Sequence, residues 1–202
     1  MAREKETIAV DLDMCLGDYA TPFCAWSNRE LGTDLEPQYY SEDWPVLWGV
    51  DEVEVARRTE ILNKSGIVKT LPVIASAGAA CMELAKRFDL IIATSRPQFL
   101  IPASRTWVNR NFPGMFKEVF STGTWGSELL TKGQVLCAKG VPYLVDDQPK
   151  HAIGMSSAGG TGVLYGDYTW SRDVDCGDSP IVVARTWEAV KRYFETVLRS
   201  RG

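Results

Sequence analysis

Asp11 and Asp13 stand one residue apart at the end of the apolar run Thr7-Ile8-Ala9-Val10. Alternation along a strand sends both carboxylates to one side, with Leu12 opposite. Two acids this close repel unless a cation sits between them or one keeps a proton. The pair therefore predicts either a divalent metal or an acid/base couple. Three other sets could join it: Thr94-Ser95 after Leu90-Ile91-Ile92-Ala93, Asp146-Asp147 after Tyr143-Leu144-Val145, and Lys132 in Thr131-Lys132-Gly133. Four carboxylates on one sheet edge need a cation, and an all-oxygen set suits Mg²⁺, held by one or two carboxylates, waters and a substrate phosphate. Lys132 adds a fixed positive charge, and Thr94 and Ser95 add short donors, which fits a phosphoryl group in transfer. An aspartate can take the phosphoryl group as a nucleophile. A second carboxyl can protonate the leaving oxygen and then activate water. The one histidine, His151, is unsuited to a zinc site, completes no Ser-His-Asp triad, and reads as an ordinary helix-surface or half-buried residue.

These groups need strands that end together. Thr7 to Val10 reads as a central parallel strand, Leu90 to Ala93 as a second, and Glu118 to Phe120 as a third. Tyr143 to Val145 and Gly162 to Tyr165 follow, with Ile181 to Val183 as a sixth. Helices are expected from a Thr21-Pro22 start to Gly32, from Asp51 to Gly66, and over Ala75 to Phe88 with Met82, Leu84 and Ala85 on the apolar side. Others are expected over Ala103 to Asn111, from Lys132 to Lys139, and over Trp187 to Arg199. Strand and helix in alternation predict an open parallel sheet covered on both faces, an α/β Rossmann-like three-layer architecture. Ligands of such sheets bind beyond the carboxyl ends of the strands. Roughly 60 residues separate the first strand from the helix at Ala75, where βα loops usually take about 2–6. That insertion begins beside the acids and is placed to cover them. The expected division is a core of 1–16 and 72–202 with a helical cap of 17–71.

Composition narrows the function classes. The 202 residues suit one α/β domain with an insertion, 45% hydrophobic and 24% charged. A net charge of −4 leaves no basic excess for a general nucleic-acid or membrane-surface binder. No apolar run reaches 18 residues, so no membrane span is expected. The charged start Met1-Ala2-Arg3-Glu4-Lys5-Glu6 lacks an apolar core, so no secretory signal is expected. Five scattered cysteines, Cys15, Cys24, Cys81, Cys137 and Cys176, form no C-x-x-C pair. They read as reduced thiols in a cytoplasmic protein.

Asp-x-Asp after the first strand, a strand ending in Thr-Ser, a later lysine and a strand ending in Asp-Asp, in that order, resemble the haloacid dehalogenase superfamily of hydrolases, over about Thr7 to Leu164. The resemblance implies Asp11 as nucleophile and Mg²⁺ ligand. It implies Asp13 as general acid/base with its main-chain carbonyl on the metal. Thr94 and the Ser95 amide would bind the phosphoryl oxygens, Lys132 would steady nucleophile and phosphate, and Asp146 and Asp147 would complete the metal site. Asp147 is favoured as the direct ligand, although the sequence does not separate the two.

Asp11-Leu12-Asp13-Met14-Cys15-Leu16-Gly17-Asp18-Tyr19 is most similar to the first motif of the 5'(3')-deoxyribonucleotidases, and Val145-Asp146-Asp147-Gln148-Pro149 resembles their fourth. Tyr19 falls where their base-facing phenylalanine lies, and Trp44 to Trp48 resembles their aromatic cap. Tyr19, Trp44, Trp48, Ser95 and Arg96 are the candidate substrate contacts, although Trp44 and Trp48 read first as core of the cap and Arg96 reads equally as a surface ion pair. Met14 replaces a glycine of the family, Arg96 precedes Pro97, and Gln148 stands where arginine is usual. The implied activity is Mg²⁺-dependent hydrolysis of a small phosphate ester, first a (deoxy)nucleoside monophosphate. A sugar phosphate, a polynucleotide end, or a non-catalytic binding role are the alternatives.

Overall fold

A computed structural model of the chain describes residues 5–123, 130–172, 174 and 180–200. Six strands form one sheet: β1 (Thr7–Val10), β2 (Asp89–Thr94), β3 (Phe116–Ser121), β4 (Tyr143–Asp146), β5 (Thr161–Tyr165) and β6 (Val182–Ala184). Their order is β3-β2-β1-β4-β5-β6, and every neighbouring pair is parallel. β1 is central, with Ala9 level with Ile91 on one side and Leu144 on the other.

Both faces are covered, so the strands read as apolar runs, yet the two-residue period still sorts them. Ile8, Val10, Leu90, Ile92, Tyr143 and Val145 join one core. Ala9, Ile91, Ala93 and Leu144 join the other, with Leu136 and Met155 from the helices above. Those helices are α6 (Lys132–Ala138) and α7 (Pro149–Ser157). Across the sheet lie α4 (Ala77–Ala85), α5 (Ile101–Asn111) and α9 (Trp187–Arg199), which bury Leu84, Trp107 and Phe194. The short α8 (Thr169–Arg172) follows β5.

Between β1 and α4 the chain builds a helical insert of α1 (Ala20–Leu31), α2 (Trp44–Trp48) and α3 (Glu52–Lys64). Phe23 centres it, fully buried, with ring centroids of Tyr40, Trp44 and Trp48 at 5.1, 5.4 and 5.3 Å. Aromatic pairs at such separations add about 0.5–1.5 kcal/mol each beyond burial. The Asp51 carboxylate caps α3 on the Glu54 N–H at 2.9 Å, and Gly32, at φ 67°, ends α1 in the left-handed region that glycine enters without strain. The Trp107 indole donates to the Leu71 carbonyl at 2.9 Å and ties the end of the insert to α5.

The expected elements mostly fall within one or two residues of those found, while the helices α2, α7 and α8 are not among those expected; three further details differ. α1 starts at Ala20, and the side chain that receives an orphan N–H there is Asp18, from Thr21 at 3.1 Å. Thr21 is thus inside the helix and is not its cap. α4 is shorter than 75–88, and its buried line is Ala77, Ala80, Cys81 and Leu84. Met82 lies one step off that line and is 51% exposed. β3 runs two residues further back than expected, to Phe116. Cys176 lies outside the described residues; Cys15, Cys24, Cys81 and Cys137 are free thiols.

Candidate active site

The carboxyl ends of β1, β2 and β4 open into one cavity of about 280 Å³, and the insert supplies its opposite wall. The Asp11 N–H continues the ladder with a bond to the Val145 carbonyl at 2.8 Å, so alternation puts Asp11 on the face of Ala9. Asp146 shares the face of Leu144. Helix α6 covers that face and opens on Lys132, behind a capping box between Thr131 and Gln134. The lysine's ammonium therefore lies between the two acids, donating to Asp11 Oδ1 and Asp146 Oδ2, both at 2.7 Å.

The rest of the hydrogen bonding separates Asp146 from Asp147. Asp146 is fully buried, with Oδ2 on Lys132 and Oδ1 accepting from the Gln148 N–H at 2.9 Å. Asp147 accepts on Oδ2 alone, from Gln148 Nε2 at 3.0 Å and Trp170 Nε1 at 2.9 Å. Among the described residues, Asp147 Oδ1 and Asp11 Oδ2 have no hydrogen-bond donor. Donor atoms of Asp11, Cys15 and Asp147 lie within 4.8 Å of one another, close enough to share one ion. Burial pushes the Cys15 thiol well up, and three nearby aspartates add to that; the hard donors of the group are the carboxylate oxygens. Such a set matches a hard divalent ion such as Mg²⁺.

Electrostatics point the same way. Burial pushes the Asp11 carboxyl up to about 8; Lys132 opposes this, while Asp146 and Asp13 reinforce it. Asp147 is also raised well above the usual carboxylate range, first by burial and then by Asp146, Asp11 and Glu42. Burial works against the charge on Lys132, but Asp11 and Asp146 outweigh it and hold the ammonium protonated. One ammonium thus faces three buried aspartates, a surplus of negative charge that a proton or a divalent cation relieves.

The remaining expected residues divide. Thr94 is buried at the end of β2, its hydroxyl oxygen accepting from the Arg96 N–H at 3.2 Å, and it lines the cavity with Ser95. Tyr19 and Trp44 line the insert's side. Trp48 does not line it. It is buried, stacked on Phe23 at 15°, and its indole donates to Ser27 Oγ at 3.1 Å. The expected substrate contact at Trp48 is corrected accordingly: its ring serves the interior of the insert.

Arg96 reaches the cavity wall, but its donors are engaged within the protein. Nε and Nη2 form a two-point bridge to Asp13 at 2.8 and 2.6 Å, and Nη1 donates to the buried Ser104 Oγ at 2.8 Å. Its immediate partner is the second aspartate of the first motif, in place of the open contact to phosphate or sugar that the sequence suggested. Met14 stands at φ 56°, a left-handed conformation costing on the order of 1 kcal/mol in a residue with a Cβ.

Several wall residues carry no motif. Tyr40 and Glu42 come from the strap between α1 and α2, and Thr59 and Asn63, one turn apart, face inward from α3. His151 is half-buried, as expected, yet it lines the cavity with Nε2 3.4 Å from Ser95 Oγ, and burial pushes its imidazole down to about 4. Trp170, which bonds Asp147, comes from α8. The pair of aromatic residues at 168 and 170 is its only trace in the sequence.

No protein-family model matches the sequence, and no curated protein matches it. Solved structures do. A haloacid dehalogenase-like hydrolase from Streptococcus pneumoniae superposes with a TM-score of 0.70 at 14% identity, over 94% of this chain and 98% of that one. A predicted phosphatase from Clostridium acetobutylicum gives 0.73 at 13%, over 96% and 100%. A HAD-type hydrolase from Bacillus subtilis, described as bound to magnesium, gives 0.61 at 11%, over 96% and 100%. At these identities the likeness concerns the path of the chain. That path, with its six parallel strands and its insert after the first, is the haloacid dehalogenase-like fold.

Proposed function

We propose that this chain is a Mg²⁺-dependent phosphomonoesterase that passes a phosphoryl group through Asp11. One observation carries the reading most: Asp11, Lys132 and Asp147 meet from distant parts of the chain, with one oxygen of Asp11 and one of Asp147 left without a hydrogen-bond donor. Asp11 Oδ2 and Asp147 Oδ1 would hold the ion, with the Asp13 main-chain carbonyl. Asp146 would act through Lys132, because both its oxygens are occupied. When bound, the ion neutralises the surplus charge and draws electron density from the phosphoryl oxygens.

The protein's own groups would do the rest. Lys132 keeps Asp11 oriented and adds positive charge beside the phosphoryl group. The Thr94 hydroxyl and the Ser95 amide bind its oxygens. Asp11 attacks phosphorus in line and forms an aspartyl-phosphate, while Asp13 gives a proton to the departing alcohol oxygen. Asp13 then takes a proton from the water that releases inorganic phosphate and frees Asp11. Arg96 fixes the direction of the Asp13 carboxyl, and because both its oxygens accept from that guanidinium, one of the two bonds must open before Asp13 carries the proton it gives.

The insert, about 17–71, acts as a cap over the acids, which favours a small substrate. Tyr19, Tyr40 and Trp44 give it an aromatic wall, which supports a (deoxy)nucleoside monophosphate as the first candidate. Hydrolysis of p-nitrophenyl phosphate with and without Mg²⁺ tests the core of this reading. Asp11→Asn is expected to lower kcat at least 10³-fold; activity that survives the change rejects the nucleophile. A panel of mono- and deoxynucleotides against sugar phosphates tests the substrate class, and equal kcat/KM values across the panel reject the nucleotide.

A further inference from the structure

The segment after β5 contains no residue of the hydrolytic motifs, yet it holds two of their loops. The Trp170 indole N–H donates to Asp147 Oδ2 at 2.9 Å. The ring lies flat on Tyr168, with centroids 4.6 Å apart and planes 7° from parallel. The Tyr168 hydroxyl donates to the Met14 carbonyl at 2.6 Å, in the loop after Asp13. The edge of Tyr40, from the insert, meets Trp170 at 5.7 Å and 79°. Beneath, the Arg185 guanidinium fastens the segment through the carbonyls of Gly166, Ser171 and Arg172 at 3.0 to 3.2 Å. The indole is therefore set in plane and direction by its neighbours, and a neutral donor placed there adds no charge to compete with a cation.

We propose that Trp170 is a positioning residue of the metal centre: it occupies one oxygen of Asp147 and so turns the other toward the ion. The inference rests on the reading of Asp147 as a direct Mg²⁺ ligand. Partners that orient ligating groups typically change metal affinity about 10–100-fold when removed. Gln148 Nε2 binds the same oxygen, so the loss here belongs at the lower end.

Trp170→Phe keeps a flat ring on Tyr168 and removes the donor. Mg²⁺ dissociation constants by titration calorimetry, and Mn²⁺ constants by electron paramagnetic resonance, are measured for wild type, W170F, D147N and the double variant. W170F is expected to weaken binding about 10-fold. In the D147N background the same change is expected to shift binding less than twofold, because the group it acts through is altered. Wild-type affinity in W170F, or a full second loss in the double variant, overturns the inference. Unchanged metal binding in D147N instead overturns the ligand assignment on which it rests. If Phe at 170 prevents folding, wild-type protein carrying nitrogen-15 tryptophan supplies the reading: the Trp170 indole resonance should move on Mg²⁺ addition, and a fixed resonance overturns the inference.

Discussion

Lys132 shows how far one side chain can govern both stability and chemistry. Its ammonium is the only cation bonded to Asp11 and Asp146 among the described residues. Removing one partner of a buried ion pair costs about 3–5 kcal/mol, because the remaining charge stays desolvated. Lys132→Met is therefore expected to destabilise the metal-free protein by about that much near pH 7.5, measured by urea unfolding. The cost should grow as pH rises past about 8. Asp11 already titrates at about 8 in the folded chain with Lys132 opposing the rise, and about 3.9 is usual for an unfolded chain. A carboxyl raised on folding binds its extra proton in the native state, so stability falls as pH climbs from about 4 toward 8. Without the ammonium the Asp11 carboxyl rises further and the fall in stability continues above pH 8; a cost that stays constant as pH climbs past 8 would count against the coupling. Arg96 teaches a different lesson. A guanidinium beside two aspartates and a Thr-Ser strand end reads naturally as a substrate contact, and only the folded chain closes its fork on Asp13. Its sequence neighbours, Ser95 and Pro97, carry no hint of a partner 83 residues away.

At the scale of elements, the apolar runs and their polar ends were legible because burial on both faces leaves an unmistakable apolar stretch. The five strands nearest the site were placed to within about two residues. Helix packing was less legible, as the contact between α6 and α7 illustrates. Gly133 lets the two backbones close: a Cβ there would run into the carbonyl of Gly154. Backbone offers no rotamer to relieve such a clash. Gly133→Ala is expected to cost about 2–3 kcal/mol and to lower the melting temperature by about 5–10 °C. Gly78→Ala, inside α4 with open space at its Cβ, is the matched control and should gain about 0.5–1 kcal/mol. Thermal unfolding of both variants checks the contrast; a stable Gly133→Ala would mean that α6 and α7 shift apart freely. Because Gly133 adjoins Lys132, such a shift would also move the ammonium.

The whole molecule is a sheet whose edge gathers like charges and a mostly helical insert that covers them. Among the described residues no helix is long and apolar enough to cross a membrane. Charge gathered at the edge destabilises the fold until something neutralises it. A ligand bound only by the native state at about 100 times its dissociation constant adds about 2.7 kcal/mol. Mg²⁺ at that excess is therefore expected to raise the melting temperature by about 5–10 °C at pH 7.5, with chelator reversing the gain. Asp147→Asn should respond weakly, since it lacks one of the two open oxygens. Equal stabilisation of wild type and variant by Mg²⁺, followed by calorimetry, would place the ion elsewhere.

The alternation of apolar strands and helices, the excess length after β1, and the acids, hydroxyls and lysine at the expected ends are all written in the order of the residues. Each follows from rules that act over a few positions: period, capping and the reach of a loop. Which aspartate keeps an open oxygen, where Arg96 spends its donors, why Trp48 turns inward and how Trp170 comes to hold Asp147 were decided by folding alone. Those outcomes depend on which donors meet in three dimensions once water is excluded. A buried polar group takes whatever partner the packed chain brings within 3 Å, and nothing local to the group names that partner in advance.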